Sequence, residues 1–360
     1  MISEVTQIPS NTRLILFGAG TFGEVVARAI FQERPDVEIV AFADNHQSGQ
    51  KFGRPIWNPE TLQTNRSQYD AILISSGFIE EIHQQLKRME LSPIWLGHPA
   101  LMHHYSLLHP ATEEHLDRAR QLLSSDEDRA VYEAIIEARR GKPDALKMHV
   151  QARDLHPKRQ YLDFINFDSI QVAVEGGVFD GFTSQQFMKR MPETAHLHGF
   201  EPFIELYEQG PYRPQLDPHR VHVHAKGLWN ENTSLNFSQD ALEAAESGGA
   251  SKVVRSPNEP TTRQIQAVRL DDWVQEQGLD RLDFFKLDIE GSEPEAIEGA
   301  KQSLMRFRPQ LAICIYHHPT HLYQIPIQLS ELLPNYRWHV QHYSMEIWET
   351  VWYGLPLEKR

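Results

Sequence analysis

The chain has a single cysteine, Cys314, among 360 residues. No internal disulfide can form, so a packed interior has to hold the fold, and the count suits a reducing compartment. No stretch approaches the roughly 18 apolar residues of a membrane span, and Met1 to Arg13 lacks a basic region followed by an apolar run. Together these absences predict a cytoplasmic protein with no membrane span. Positive charge is also scarce: 35 Lys and Arg against 49 Asp and Glu give a formal charge of −14. That balance repels a phosphate backbone, and no basic stripe overrides it, so nucleic acid is not expected as a partner. Several signatures are missing too: a His-Glu-x-x-His helix, paired Cys motifs, a Gly-x-Ser-x-Gly elbow and a Walker loop. The 19 histidines, some adjacent as in His103-His104 and His317-His318, do not make a zinc site without such spacing, and no metal is expected.

What is present reads as α/β. Hydrophobic residues make up 40% and charged residues 23%, an ordinary globular balance, and the length predicts two domains with a connector. Apolar runs at Arg13–Phe17, Glu38–Ala43, Ala71–Ile74 and Ile94–Leu96 alternate with helical spacing. That alternation implies parallel strands with right-handed crossovers, a small Rossmann-like domain over residues 1–100. Gly18-x-Gly20-x-x-Gly23 follows the first strand and Asp44 ends the second, the fingerprint of a nucleotide cradle. It would suit a nucleotide or nucleotide-sugar. NAD-linked oxidoreduction is the alternative activity, although no acid-base pair stands out between Gly18 and Gly97, where His83 is isolated. Residues 101–160 predict a helical connector, and strand signals resume in a second α/β domain over 161–360.

The second domain carries the denser constellation. Val172-Ala173-Val174-Glu175-Gly176-Gly177-Val178-Phe179-Asp180-Gly181 places an acid and three glycines directly after a buried strand. Glycine lets the backbone turn sharply and approach a ligand, at the strand end where doubly wound sheets bind theirs. The next strand ends in Phe200-Glu201-Pro202, and a carboxylate there can accept hydrogen bonds from ribose hydroxyls. A third strand delivers Lys286, Asp288, Glu290 and Glu293 to one sheet end, more charge than a structural role asks for after a buried strand.

These segments, with Val268 to Trp273, Gly299-Ala300 and Tyr316-His317-His318, resemble the FkbM family of S-adenosylmethionine-dependent methyltransferases from about residue 165 onward. The resemblance implies a class I methyltransferase fold, a seven-stranded sheet whose last hairpin, Tyr336 to His342 with Glu349 to Pro356, is antiparallel. It implies that Glu175, Gly176, Gly177, Asp180 and Gly181 hold the methionine end of S-adenosylmethionine and that Glu201 holds its ribose. The family usually has Asp at the position of Glu175 and Ala at that of Gly177. It further implies methylation of a hydroxyl on a small molecule, sugar or glycolipid, and is compatible with a homo-oligomer.

Methyl transfer to an alcohol needs a base, which typically adds about 10²–10⁴-fold. Asp288, Glu290 and His317 are the catalytic candidates. Either two carboxylates and a histidine hold a divalent cation, or His317 takes the proton directly, and the metal-free version is preferred. Lys286 and Glu293 could instead form a structural ion pair, and His318 could be a loop residue. Pro211 to His219 and Ser247 to Pro260 could cover the site or serve as surface connections.

Overall fold

The computed structural model describes residues 2, 4–76, 78–97, 110–140, 142, 144–155, 157–238, 261–345 and 347–358. It divides into two compact units, Met1–Glu113 with Glu133–Met148, and Glu114–Tyr132 with His149–Arg360. Among the described residues no helix is long and apolar enough to cross a membrane. His103, His104 and the expected boundary at residue 100 lie outside the described residues, as does the stretch Ser247 to Pro260.

The first unit is built on strands β1 (Arg13–Phe17), β2 (Glu38–Ala43), β3 (Gly49–Lys51), β4 (Arg54–Trp57), β5 (Ala71–Ile74) and β6 (Ile94–Leu96), ordered β3-β4-β2-β1-β5-β6. Leu14 and Leu16 of β1 pack with Val26 and Ile30 of the helix Thr21–Glu33, while Ile15 and Phe17 pack with Leu62 and Leu86 in the opposite layer. Burial on both faces explains why the run is apolar without alternation. The β3-β4 hairpin at the sheet edge was not anticipated, because its short, mostly polar strands carry no hydrophobic period.

In the second unit, β7 (Val172–Gly176), β8 (His196–Phe200) and β9 (Val221–His224) precede a separate three-stranded sheet of β10 (Gly227–Leu228), β11 (Thr233–Ser238) and β12 (Thr261–Val268). The chain then returns through β13 (Phe284–Leu287), β14 (Gln310–Cys314), β15 (Tyr336–His342) and β16 (Thr350–Pro356), giving a main sheet ordered β15-β16-β14-β13-β7-β8-β9. Five strands are parallel; β16 runs antiparallel to β14, and β15 to β16, the expected terminal hairpin. Strand order reverses between β7 and β13. The carboxyl ends of strands at such a reversal are the usual ligand position in these sheets, the crevice edge. Helices Pro110–Leu122, Asp126–Arg139 and Asp144–Ala152 occupy the stretch predicted to be helical.

Candidate functional site

The turn after β7 is shaped by close approach. Gly177 has φ +78°, and a Cβ on it would lie 1.8 Å from the Asp288 carbonyl oxygen, so only glycine lets the ends of β7 and β13 meet this way. The alanine common at this position in the family it resembles does not fit without movement of the β13 end. Gly181 (φ +85°) leads into the helix Phe182–Met188, whose first amide, that of Phe182, is met by Asp180 Oδ1 at 2.9 Å.

Beneath the turn lies an enclosed ion pair. Lys286 Nζ sits 3.5 Å from Glu175 Oε1, with both side chains almost wholly buried, and donates to the carbonyls of Gly177 (2.6 Å) and Gly176 (3.2 Å). Ser184 Oγ donates to Glu175 Oε2 at 2.5 Å. Burial pushes the Glu175 carboxyl up, against the pull of Lys286 and Ser184. Lys286 does not pair with Glu293; parallel pairing sets it opposite Glu175 on β7. Glu175 is fully buried, with Oε2 engaged by Ser184 and Oε1 facing Lys286.

Glu201, also buried, directly follows β8 and accepts from the amides of Phe179 and Phe203, each at 2.9 Å. It thereby ties the turn after β7 to the loop after β8. Burial raises its pKa, opposed by those two amides. Each carboxylate oxygen has a second lone pair, which leaves capacity for ribose hydroxyls.

On the other side of the crevice, Asp288, Glu290 and His317 come together as expected. His317 Nε2 lies 3.3 Å from both Asp288 Oδ1 and Glu290 Oε2, and its Nδ1 lies 2.9 Å from Glu293 Oε1. Asp288 also accepts from Tyr161 Oη (2.6 Å) and Tyr316 Oη (3.0 Å). Tyr161 was not recognised from the sequence; it stands far from any motif, and only the fold brings it here. Burial alone would lower the His317 pKa, but the charges of Glu293 and Glu290 and contact with Asp288 raise it well above its ordinary value. Burial of Asp288 is likewise outweighed by His317, Lys286 and Tyr161, which hold it ionised. Glu290 goes the other way, raised to about 7 by burial despite the opposing charge of His317. It sits in left-handed backbone, φ +56°, followed by Gly291 at +95°.

Asp288, Glu293 and His317 each bring one donor atom within 4.8 Å of the others, a set able to receive a metal ion. A cation there would have to replace the His317 proton. His318 turns away to Thr320 (2.8 Å) and is exposed, a loop residue. Pro211 to His219 is a largely exposed connection anchored by Leu216, which is buried in the same core as Tyr207.

In the first unit, Gly18 (φ +117°) and Gly23 are close-approach positions: added Cβ atoms would lie 2.3 Å from the Ser75 carbonyl oxygen and 1.9 Å from that of Gly18. Gly20 differs, since nothing lies within 4 Å of a Cβ there. Asp44 is committed to backbone amides, accepting from Ala19 (2.8 Å), His46 (2.9 Å) and Gln47 (3.0 Å). Lys51 reaches the Ala19 carbonyl and pairs with Glu24 at 2.8 Å.

Residues 175–345 match the model of the methyltransferase FkbM domain, and residues 10–93 match that of C2185-like N-terminal domains. The 2-O-methyltransferase NoeI of Sinorhizobium fredii (strain NBRC 101917 / NGR234) is 26% identical over 184 residues, 46% of this chain and 72% of that protein. A solved structure, methyltransferase FkbM from Methylobacillus flagellatus KT, superposes with a TM-score of 0.57 at 18% identity, covering 96% of this chain and 90% of its own. At that identity the likeness speaks to the fold.

Proposed function

The chain carries an FkbM methyltransferase domain and is an S-adenosylmethionine-dependent methyltransferase, and we propose that it methylates a hydroxyl oxygen of a sugar, glycolipid or similar small acceptor. What supports this reading is the placing of Glu290 directly after β13, in left-handed backbone with its Oε2 3.3 Å from His317 Nε2, where its pKa is shifted up. A base with a pKa near the working pH suits removal of a hydroxyl proton.

What supports a cofactor at this sheet end is the glycine turn at Gly177, which lets the ends of β7 and β13 close together, and Glu201, whose acceptors lie one strand away. Bound there, S-adenosylmethionine supplies an electrophilic methyl carbon whose leaving group is already activated. The work left to the protein is aiming and deprotonation. Gly177, Gly181 and Asp180 shape the cradle for the methionine end, Lys286 and Glu175 keep the glycine turn in place, and Glu201 receives the ribose. Glu290 takes the proton of the acceptor hydroxyl as its oxygen attacks. Asp288, engaged by two tyrosine hydroxyls and His317, serves as the anchor. His317, protonated between three carboxylates, has no free lone pair for a proton and instead holds Glu290 in place. The preference for His317 as the base thus gives way to Glu290.

The test is a methyl-transfer assay over a panel of methyl glycosides. Glu290→Gln should lower kcat by about 10²–10⁴-fold with S-adenosylmethionine affinity unchanged. Turnover equal to wild type would remove Glu290 from the chemistry.

A second reading concerns the first unit, where the open space at Gly20 favours a nucleotide or nucleotide-sugar over the glycine turn. A Cβ at Gly20 has nothing within 4 Å, so Gly20→Val should fold while blocking such a ligand. Titration with nucleotide-sugars and NAD, where wild type binds and the variant does not, would bear this out; equal binding would dismiss it.

A further inference from the structure

Tyr161 touches both halves of the site. It is buried, and it comes from the stretch between the helix Asp144–Ala152 and β7. Its backbone amide donates to Tyr353 Oη on β16 at 3.1 Å, and Tyr353 Oη lies 2.6 Å from Tyr343 Oη. The ring meets Phe187 edge-on at 6.4 Å between centres, and Lys286 Nζ stands 4.9 Å from its own centre. One side of Tyr161 is thus set against the cation that bridges the glycine carbonyls. On the other side its hydroxyl donates to Asp288 Oδ2 at 2.6 Å, with Cys314 Sγ 3.3 Å away.

A phenol has one proton to donate, and a carboxylate is a far stronger acceptor than a thiol, so the proton goes to Asp288. That bond divides the oxygens of Asp288. Oδ2 belongs to Tyr161, while Oδ1 is left to Tyr316 Oη at 3.0 Å and His317 Nε2 at 3.3 Å. His317 Nε2 lies equally 3.3 Å from Glu290 Oε2, so the orientation of the Asp288 carboxylate decides how the one Nε2 proton is shared between the anchor and the base. Released from Tyr161, that carboxylate would turn, and Glu290 would lose the partner that aims it. We infer that Tyr161 is a positioning residue of the methyl-transfer reaction, setting the Asp288 carboxylate and, through it, His317 and Glu290. The inference deepens the reading of Glu290 as the base and rests on it.

Tyr161→Phe keeps the ring against Phe187 and Lys286 and removes only the hydroxyl, which separates positioning from packing. Steady-state methyl transfer over the methyl glycoside panel, with titration of S-adenosylmethionine on the same preparations, tests this. Tyr161→Phe should lower kcat by about 10–100-fold, the worth of a hydrogen bond to a charged group. The acceptor KM and the S-adenosylmethionine Kd should stay within about twofold of wild type, because the groups that hold the substrates are untouched. Tyr161→Met, flexible enough to fill the space, serves as the hydroxyl-free variant where Tyr161→Phe fails to melt cooperatively, and its kcat at saturating S-adenosylmethionine should show the same loss. A kcat within about twofold of wild type in the hydroxyl-free variant overturns the inference alone, and so does a fall in kcat matched by an equal weakening of S-adenosylmethionine in Tyr161→Phe. Glu290→Gln, assayed alongside, separates the two readings: if it turns over as wild type does, or if wild type methylates none of the panel, the proposed reaction fails and the inference with it.

Discussion

Replacing Lys286 by methionine would remove one charge from a pair that water does not reach, with side chains 2% and 1% exposed. Glu175 would keep Ser184 as a donor, while the carbonyls of Gly176 and Gly177 would lose the Nζ that bridges them. Breaking a buried pair from one side typically costs about 3–5 kcal/mol, because an uncompensated charge stays behind. Lys286→Met should therefore destabilise the second unit by about that amount. Glu175→Gln alone should be costly for the same reason, with Lys286 left as the orphan. In the double variant both charges are gone, so its cost should fall short of the summed single costs by about 1–3 kcal/mol, the range seen for residues in one network. Hydrogen exchange of the β7 and β13 amides, read across a urea series, isolates this sheet from the first unit. Additive costs, or a single-variant cost below about 1 kcal/mol, would refute the pairing.

Glu201→Ala should weaken S-adenosylmethionine by about 1.5–3 kcal/mol, the scale of a charged hydrogen bond, measured by titration. It should also cost stability, because the buried amides of Phe179 and Phe203 lose their acceptor, so the melting temperature should fall alongside affinity. Gly177→Ala should weaken cofactor binding, since its Cβ would lie 1.8 Å from a backbone oxygen of Asp288 at a positive φ and the end of β13 would have to move; affinity within about twofold of wild type would contradict the turn geometry. The pH dependence has two opposite signs. Glu290 must be ionised to act as a base, so kcat should rise as pH climbs through about 7. Its folded-state pKa stands above its ordinary value of 4.5, so the stability it contributes is full below about 4.5 and is lost as pH rises to about 7. Glu290→Gln should flatten both trends, checked by a pH–rate profile and by melting curves across the same range.

Much of this arrangement was legible in the sequence because apolar runs and their terminal residues mark a sheet's crevice edge. The runs ending at Glu175-Gly176 and Leu287-Asp288 lie on adjacent parallel strands, and the acids and glycines after them fall at one end. What the sequence withheld was strand order. Lys286 has six carboxylates within seven residues of chain or one strand away, and only parallel pairing with Glu175 decides between them. Tyr161 belongs to no motif and lies 127 residues from the Asp288 it donates to, a contact that a linear reading cannot supply. The β10-β12-β11 sheet and the β3-β4 hairpin escaped for another reason: short strands with few buried apolar residues leave no period to read.

The most direct test of the account is titration of the purified chain with S-adenosylmethionine, S-adenosylhomocysteine, NAD and a nucleotide-sugar panel, on wild type and Glu201→Ala side by side. The account predicts micromolar binding of the first two by wild type, weakened in the variant. Binding of NAD or a nucleotide-sugar alone, with neither S-adenosyl compound bound, would contradict it and move the function to the first unit.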